Sequence, residues 1–143
     1  MRITIEGDEK FRQFLKTRPK VALHAMAGAA FVEAEQIMKR SKDEFVPHDL
    51  GALQASGEVD PTPETTRTGV TITLGYGGPA AAYALAIHEH PESPPSPAVW
   101  RGKNIKWSKP GTGPKYLEKP MLEAEKGMAE RIGSRIGRRL EKL

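Results

Sequence analysis

The sequence predicts an α+β chain: long helices toward both ends and a small antiparallel β-sheet between them. Three patterns carry this. Leu23, Met26, Ala30, Ala34 and Ile37 recur at steps of three and four, as do Leu117, Met121, Ala124, Met128, Ile132, Ile136 and Leu140. Each series lays an apolar stripe along one face of a helix. Between them, Leu53, Ala55, Gly57 and Val59, and then Val70, Ile72 and Leu74, alternate with polar residues. That period of two marks strands with one buried face. At 143 residues the chain is long enough for one domain, taken as 1–143, with a modest core.

Taken in order, residues 1–6 alternate, with Ile3 and Ile5 on one side, and read as a short strand. Asp8 is placed to cap a turn of helix carrying Phe11, Phe14 and Leu15. Pro19 suits the first turn of a new helix, which the stripe extends over 19–43. Ala22, Ala25, Ala27 and Ala29 keep its first half slim, so a sheet or second helix can pack closely. Residues 46–52 read as a turn and a short helical start, with Asp49 capping and Gly51 turning the chain. The two alternating runs then form an antiparallel pair joined by the polar stretch 61–68, and Gly75, Gly77 and Gly78 end the second strand. Residues 80–89, rich in alanine, suit a short helical or irregular cover. Residues 91–113 are rich in proline and glycine, hold both Trp100 and Trp107, and read as an extended loop. The last helix is expected over 115–142 as one continuous stripe. Gly127, Gly133 and Gly137 interrupt it, as close approach by another element or a bendable tail would require.

Composition removes several function classes. There is no cysteine, which excludes disulfides and thiolate metal sites. No apolar run approaches the ~20 residues needed to span a bilayer, and the start lacks the apolar core of a secretory signal, so a soluble chain made in the cytoplasm is expected. The net charge of +4 comes from both ends: nine Lys/Arg against seven Asp/Glu over 1–44, and eight against five over 114–143. Acids are interleaved with bases, which favours solvated faces over a DNA-binding stripe. A lean apolar fraction of 38% with 6% aromatic suggests a core completed by a partner.

One group of residues has metal-site chemistry: His48, Asp49, His88, Glu89 and His90. A strand would present His88 and His90 on one face, yet no H-E-x-x-H spacing, G-x-S-x-G turn, P-loop or dinucleotide fingerprint exists. The favoured reading makes these residues structural polar groups near an interface, with no cofactor, no metal and no enzymatic activity. Trp100 and Trp107 are candidate intersubunit anchors, since tryptophan is enriched at binding hot spots.

The ordered set Val46-Pro47-x-Asp49-x-Gly51-x-Leu53-x-x-Ser56, a strand pair, Tyr83-Ala84 with His88-Glu89, a variable loop, and Lys115-Tyr116-Leu117-Glu118-Lys119-Pro120 opening a last helix resembles the neck family of long-tailed bacteriophages. Its members are labelled minor capsid, head–tail connector or tail-component proteins. The resemblance runs from the first long helix to the last. Leu50 departs from it, standing where the family commonly has Thr, and the loop 91–113 is longer than in many members.

The resemblance implies a small sheet packed against a long N-terminal helix, assembled as a homo-oligomeric ring, six- or twelve-fold, at the head–tail junction. The partners it implies are other connector and tail proteins, with genomic DNA passing through the lumen. The location it implies is the virion, after assembly in the host cytoplasm. It carries Pro47, Asp49, Gly51, Leu53, Lys115, Tyr116, Leu117 and Glu118 as a structural signature; the candidate interface residues are Tyr83, His88 and Glu89 together with Trp100 and Trp107 of the loop. Alternatives are a tail-completion or tail-terminator protein and, from other classes, a nucleic-acid-binding module or a metal-dependent hydrolase.

Overall fold

The computed structural model describes residues 9–46, 51–78, 84 and 115–142. In chain order the elements are α1 (Glu9–Thr17), α2 (Pro19–Arg40), a π-helical turn (Ser41–Phe45), α3 (Ala52–Ala55), β1 (Gly57–Val59), β2 (Glu64–Thr65), β3 (Val70–Thr71), β4 (Leu74–Tyr76), α4 (Glu118–Glu125) and α5 (Met128–Glu141). The α+β class follows directly. The expected strand at 1–6, the cap at Asp8, nearly all of 80–89 and the loop 91–113 lie outside the described residues. The chain divides into two compact units, Met1–Gln36 with Val59–Leu74 and Ala124–Leu143, and Ile37–Glu58 with Gly75–Glu123.

In the first unit α1 runs almost without a break into α2. Arg18 N–H donates to Phe14 O at 2.7 Å and Ala22 N–H to Arg18 O at 3.1 Å, so the ladder continues past Pro19, whose nitrogen has no proton to give. Ala22, Ala25, Met26, Ala29, Ala30 and Ala34 of α2 are buried. The small side chains make this a thin face, and α5 approaches it closely enough for Arg131 and Arg135 to bond Glu33. Helix α5 buries Met128, Ile132 and Ile136, four residues apart. The joining stretch is not all turn: β2, within it, pairs antiparallel with β3, Glu64 opposite Thr71 and Thr65 opposite Val70. Thr66 N–H closes it by donating to Gly69 O at 2.9 Å. The run Val70–Leu74 is therefore two short strands, β3 and β4, and Val59, Val70 and Ile72 still point inward as the alternation predicts.

The last helix is not continuous. Gly127 stands between α4 and α5 with φ of 73°, a left-handed conformation that ends one helix and caps the next. Gly133 and Gly137 remain inside α5, and a Cβ on either would meet nothing within 4 Å. Among the described residues, close approach by another element does not account for those two glycines.

In the second unit α2 ends at Arg40, short of the expected Asp43, and widens into the π-helical turn. Val46 N–H donates to Ser41 O at 2.8 Å, a five-residue step. The expected strand from Leu53 is also shorter. Ala52, Leu53, Gln54 and Ala55 are strong helix formers, and left-handed Gly51 (φ 72°) starts a turn of α3 there. Ser56 ends that turn, its Oγ donating to Leu53 O at 2.8 Å, and leaves Ala55 exposed rather than inward. β1 begins only at Gly57 and forms a two-stranded sheet with β4. Gly75 lies inside β4 rather than ending it, and Gly77 N–H donates to Ser56 O at 3.3 Å.

Candidate functional site

The candidate site is built from the signature residues in the second unit. Val46, Leu53, Ala84 and Tyr116 form one buried cluster, with Phe45, Tyr76 and Leu117 packed against it. Two stretches far apart in sequence, 51–53 and 115–118, thus meet at one core. Gly51 sets the turn that aims Leu53 inward. Lys115 is the one described non-glycine residue with positive φ, at 60°. That conformation costs about 1 kcal/mol for a residue with a Cβ. Next to it, Tyr116 enters the core just before α4. Lys115 Nζ also pairs with Glu118 at 3.2 Å, and Lys119 N–H donates to Lys115 O at 2.9 Å, fixing the first turn of the helix. Pro120, buried in that turn, has no N–H to leave unpaired.

Polar groups inside the cluster are paired. Ser41 is fully buried, and its Oγ donates to Tyr116 O at 2.8 Å. A hydroxyl has one proton, so at the 2.7 Å contact between Ser41 Oγ and Tyr76 OH the phenol is the donor. Burial pushes the Tyr76 phenol up to about 12 against the opposing effect of the Ser41 bond, so it stays protonated at neutral pH. Tyr116 OH donates to Ala84 O at 2.7 Å. The Tyr76 and Tyr116 rings meet edge to face, centroids 5.0 Å apart at 89°. Behind them the backbone of Gly57 comes so close that a Cβ would lie 2.7 Å from Met38 Sδ, Lys42 Cε and Tyr76 Cε1. Ser41 has its proton committed to the Tyr116 carbonyl. The arrangement fixes a shape.

The rim of the same unit is charged. Arg40 Nη2 donates to Glu44 at 2.9 Å and to Glu123 at 2.7 Å, and its guanidinium lies 5.7 Å from the centre of the Phe45 ring. The hydrogen bonds to Glu44, then to Glu123, hold the guanidinium pKa above its already high ordinary value. This arginine ties α4 to the π-helical turn.

A second polar site, in the first unit, was not expected. Glu33 lies in the middle of the apolar stripe of α2, its side chain 2% exposed. Arg131 forks onto it, Nε at 3.0 Å from Oε1 and Nη2 at 2.9 Å from Oε2, and Arg135 Nη1 bonds Oε1 from one turn further along α5. Arg131 also donates to Ala124 O at 2.6 Å and Lys126 O at 2.9 Å, which satisfies carbonyls at the end of α4. Burial pushes the Glu33 carboxyl up. The hydrogen bonds and charges of the two guanidiniums more than reverse this, leaving it below the usual carboxylate range. Arg135 is the second partner of this buried acid. The signal was present: Glu33 is three residues from Ala30 and four from Ile37, in register with the stripe.

Of the sequence-derived site residues, the structure brings together Leu53, Tyr116 and Leu117, with Gly51, Lys115 and Glu118 at the ends of the segments that deliver them. Pro47, Asp49, Tyr83, His88, Glu89, Trp100 and Trp107, and with them His48 and His90, lie outside the described residues. Among the described residues no three His, Asp or Glu side chains are grouped to hold a metal ion, and no helix is long and apolar enough to cross a membrane. Comparison with known protein families, curated proteins and solved structures finds no match to this chain.

Proposed function

We propose that this chain is a structural subunit of the head–tail junction of a long-tailed bacteriophage, assembling as a homo-oligomeric ring between the connector and the tail. One observation carries the reading. The signature segments 51–53 and 115–118 converge on a single buried cluster with its described polar groups paired. The ordered set that resembles the neck family thus behaves as a fold signature: its described members set turns, fill the core and open a helix. A subunit that must hold its shape while neighbours load it needs this kind of core. The lean composition and the mixed charge at both ends suit a subunit completed by contacts with its neighbours.

Deletion of the gene from a phage or prophage that carries it tests the proposal. The expected result is filled heads and finished tails that fail to join, rescued by the wild-type gene in trans. Tails of uncontrolled length would assign the protein to tail termination instead. Normal infectious particles would remove it from the virion altogether.

A further inference from the structure

The mixing of acids and bases that marks the chain as a whole stops over residues 10–32, which hold no Asp or Glu. Glu33, the acid that ends this stretch, is buried and committed to Arg131 and Arg135. Because the backbone ladder carries α1 into α2, Arg12, Lys16 and Lys20 follow one another at four-residue steps, about 6 Å apart along the helix axis, and all three are exposed. Arg18, where the two helices join, is a fourth exposed cation. None of the four side chains pairs with a described carboxylate, neither Glu9 in the first turn of α1 nor Glu64 of the hairpin. Lys39, Arg40, Lys115, Arg131 and Arg135 all do pair.

These cations are strung over about 12 Å of helix rather than gathered around one point, so they do not converge on a single small anion. A row of this kind matches an extended polyanion. A DNA duplex presents one charge per about 1.7 Å of its axis, or about seven over the length of the row. A membrane-surface helix would set large apolar side chains beside its bases. Here Phe14 and Leu15 are half-buried. Among the described side chains the large, apolar and exposed ones are Val32 and Leu122, neither of them in α1 or the first turn of α2.

We infer that Arg12, Lys16, Arg18 and Lys20 bind the phosphate backbone of a nucleic acid. Contacts of this kind position the chain on a duplex and carry no sequence information. The inference goes beyond the head–tail reading and does not depend on it.

Fluorescence anisotropy of the purified chain with a labelled DNA duplex of about 20 base pairs, titrated from about 50 to about 300 mM salt, tests it. Wild type is expected to bind two unrelated sequences equally. Its affinity should fall with salt at a log–log slope of about −3 to −4, as four phosphate contacts at about 0.9 each require. The variant Arg12→Gln/Lys16→Gln/Arg18→Gln/Lys20→Gln is expected to bind at least about tenfold more weakly at 50 mM salt, with a nearly flat slope. The control Arg138→Gln/Arg139→Gln/Lys142→Gln, which removes three exposed charges at the end of α5, is expected to stay within about threefold of wild type. If circular dichroism shows the fourfold variant unfolded, Arg12→Gln/Lys16→Gln, confined to α1, is expected to reduce the slope by about 2. An RNA duplex of the same length separates the two sources of the backbone: binding at least about tenfold tighter than to DNA supports the phosphate contact and assigns it to RNA. No binding of wild type to either duplex at 50 mM salt overturns the inference. So does a fourfold variant that binds as well as wild type. A control variant as weak as the fourfold one overturns it too, because net charge would then be the cause. Binding to anionic lipid vesicles without binding to either duplex would give the row to a membrane instead.

Discussion

Glu33→Gln is the substitution that most sharply separates a buried ion cluster from a surface one. The carboxylate is 2% exposed and accepts bonds from two arginines whose side chains are 40% and 23% exposed. Removing one partner of a fully buried pair costs about 3–5 kcal/mol, because it strands the other charge. Here both guanidiniums keep some access to water, and Arg131 retains the carbonyls of Ala124 and Lys126. The lost charge-assisted bonds remain, together with a glutamine amide whose donors face other donors. The expected loss is about 2–3 kcal/mol. For a chain of this length that is roughly 8 °C in melting temperature. The pH dependence adds a second signature. The folded carboxyl titrates below its unfolded value, so its contribution is fully present above the unfolded pKa and is lost as pH falls through the folded pKa. Urea unfolding of wild type and Glu33→Gln between pH 7 and pH 3 should show a gap at neutral pH that narrows in acid. A gap below about 0.5 kcal/mol at pH 7, the range of ordinary surface changes, would refute the reasoning. A gap that is independent of pH would refute it too.

Other expectations concern the glycines and tyrosines. Glycine to alanine should change sign along the C-terminal helices. Gly127→Ala strains a left-handed residue and should destabilise by about 1–2 kcal/mol, while Gly133→Ala and Gly137→Ala, in open helical positions, should each stabilise by up to about 1 kcal/mol in thermal melts. Gly57→Ala must push aside the Tyr76 ring as well as two flexible side-chain ends. It should cost about 1–3 kcal/mol and alter the near-ultraviolet tyrosine signal. Tyr116→Phe removes the buried hydrogen bond to the Ala84 carbonyl and should cost about 1–2 kcal/mol by denaturant titration. Tyr76 should ionise near pH 12 in absorbance titrations of wild type but not of Tyr76→Phe. Its folded pKa is raised, so its contribution is intact below the unfolded tyrosine value and declines as pH climbs toward 12.

The helices and the inward strand positions were legible because burial imposes periods of 3.6 and 2 on the side chains. Met26, Ala30, Ala34, Ile37, Val59, Val70 and Ile72 are all buried as their spacing requires. Boundaries were less legible, for local reasons. Leu53 and Ala55 fit an alternating run, but a left-handed Gly51 followed by four helix formers outcompetes a strand there. The stripe from Leu117 to Leu140 reads as unbroken because side-chain period does not register a backbone break, and Gly127 supplies one with left-handed φ. Of the site, Leu53, Tyr116 and Leu117 were found from the ordered signature. Ser41, Tyr76 and Arg40 were not, because serine, tyrosine and arginine in those positions match no spacing rule, and only the fold brings them within bonding distance. Glu33 carries such a rule: an acid within an apolar stripe requires a cationic partner, and two arginines at i and i+4 on a later helix are the matching pair.

The central claim is that the chain is a structural part of the head–tail junction. Immunogold electron microscopy of purified particles, using antibody against an epitope fused to the protein, tests it most directly. The account predicts label confined to the neck between head and tail, at a constant number of copies per particle. Label on the capsid faces or the tail tip, or particles free of the protein, would contradict it.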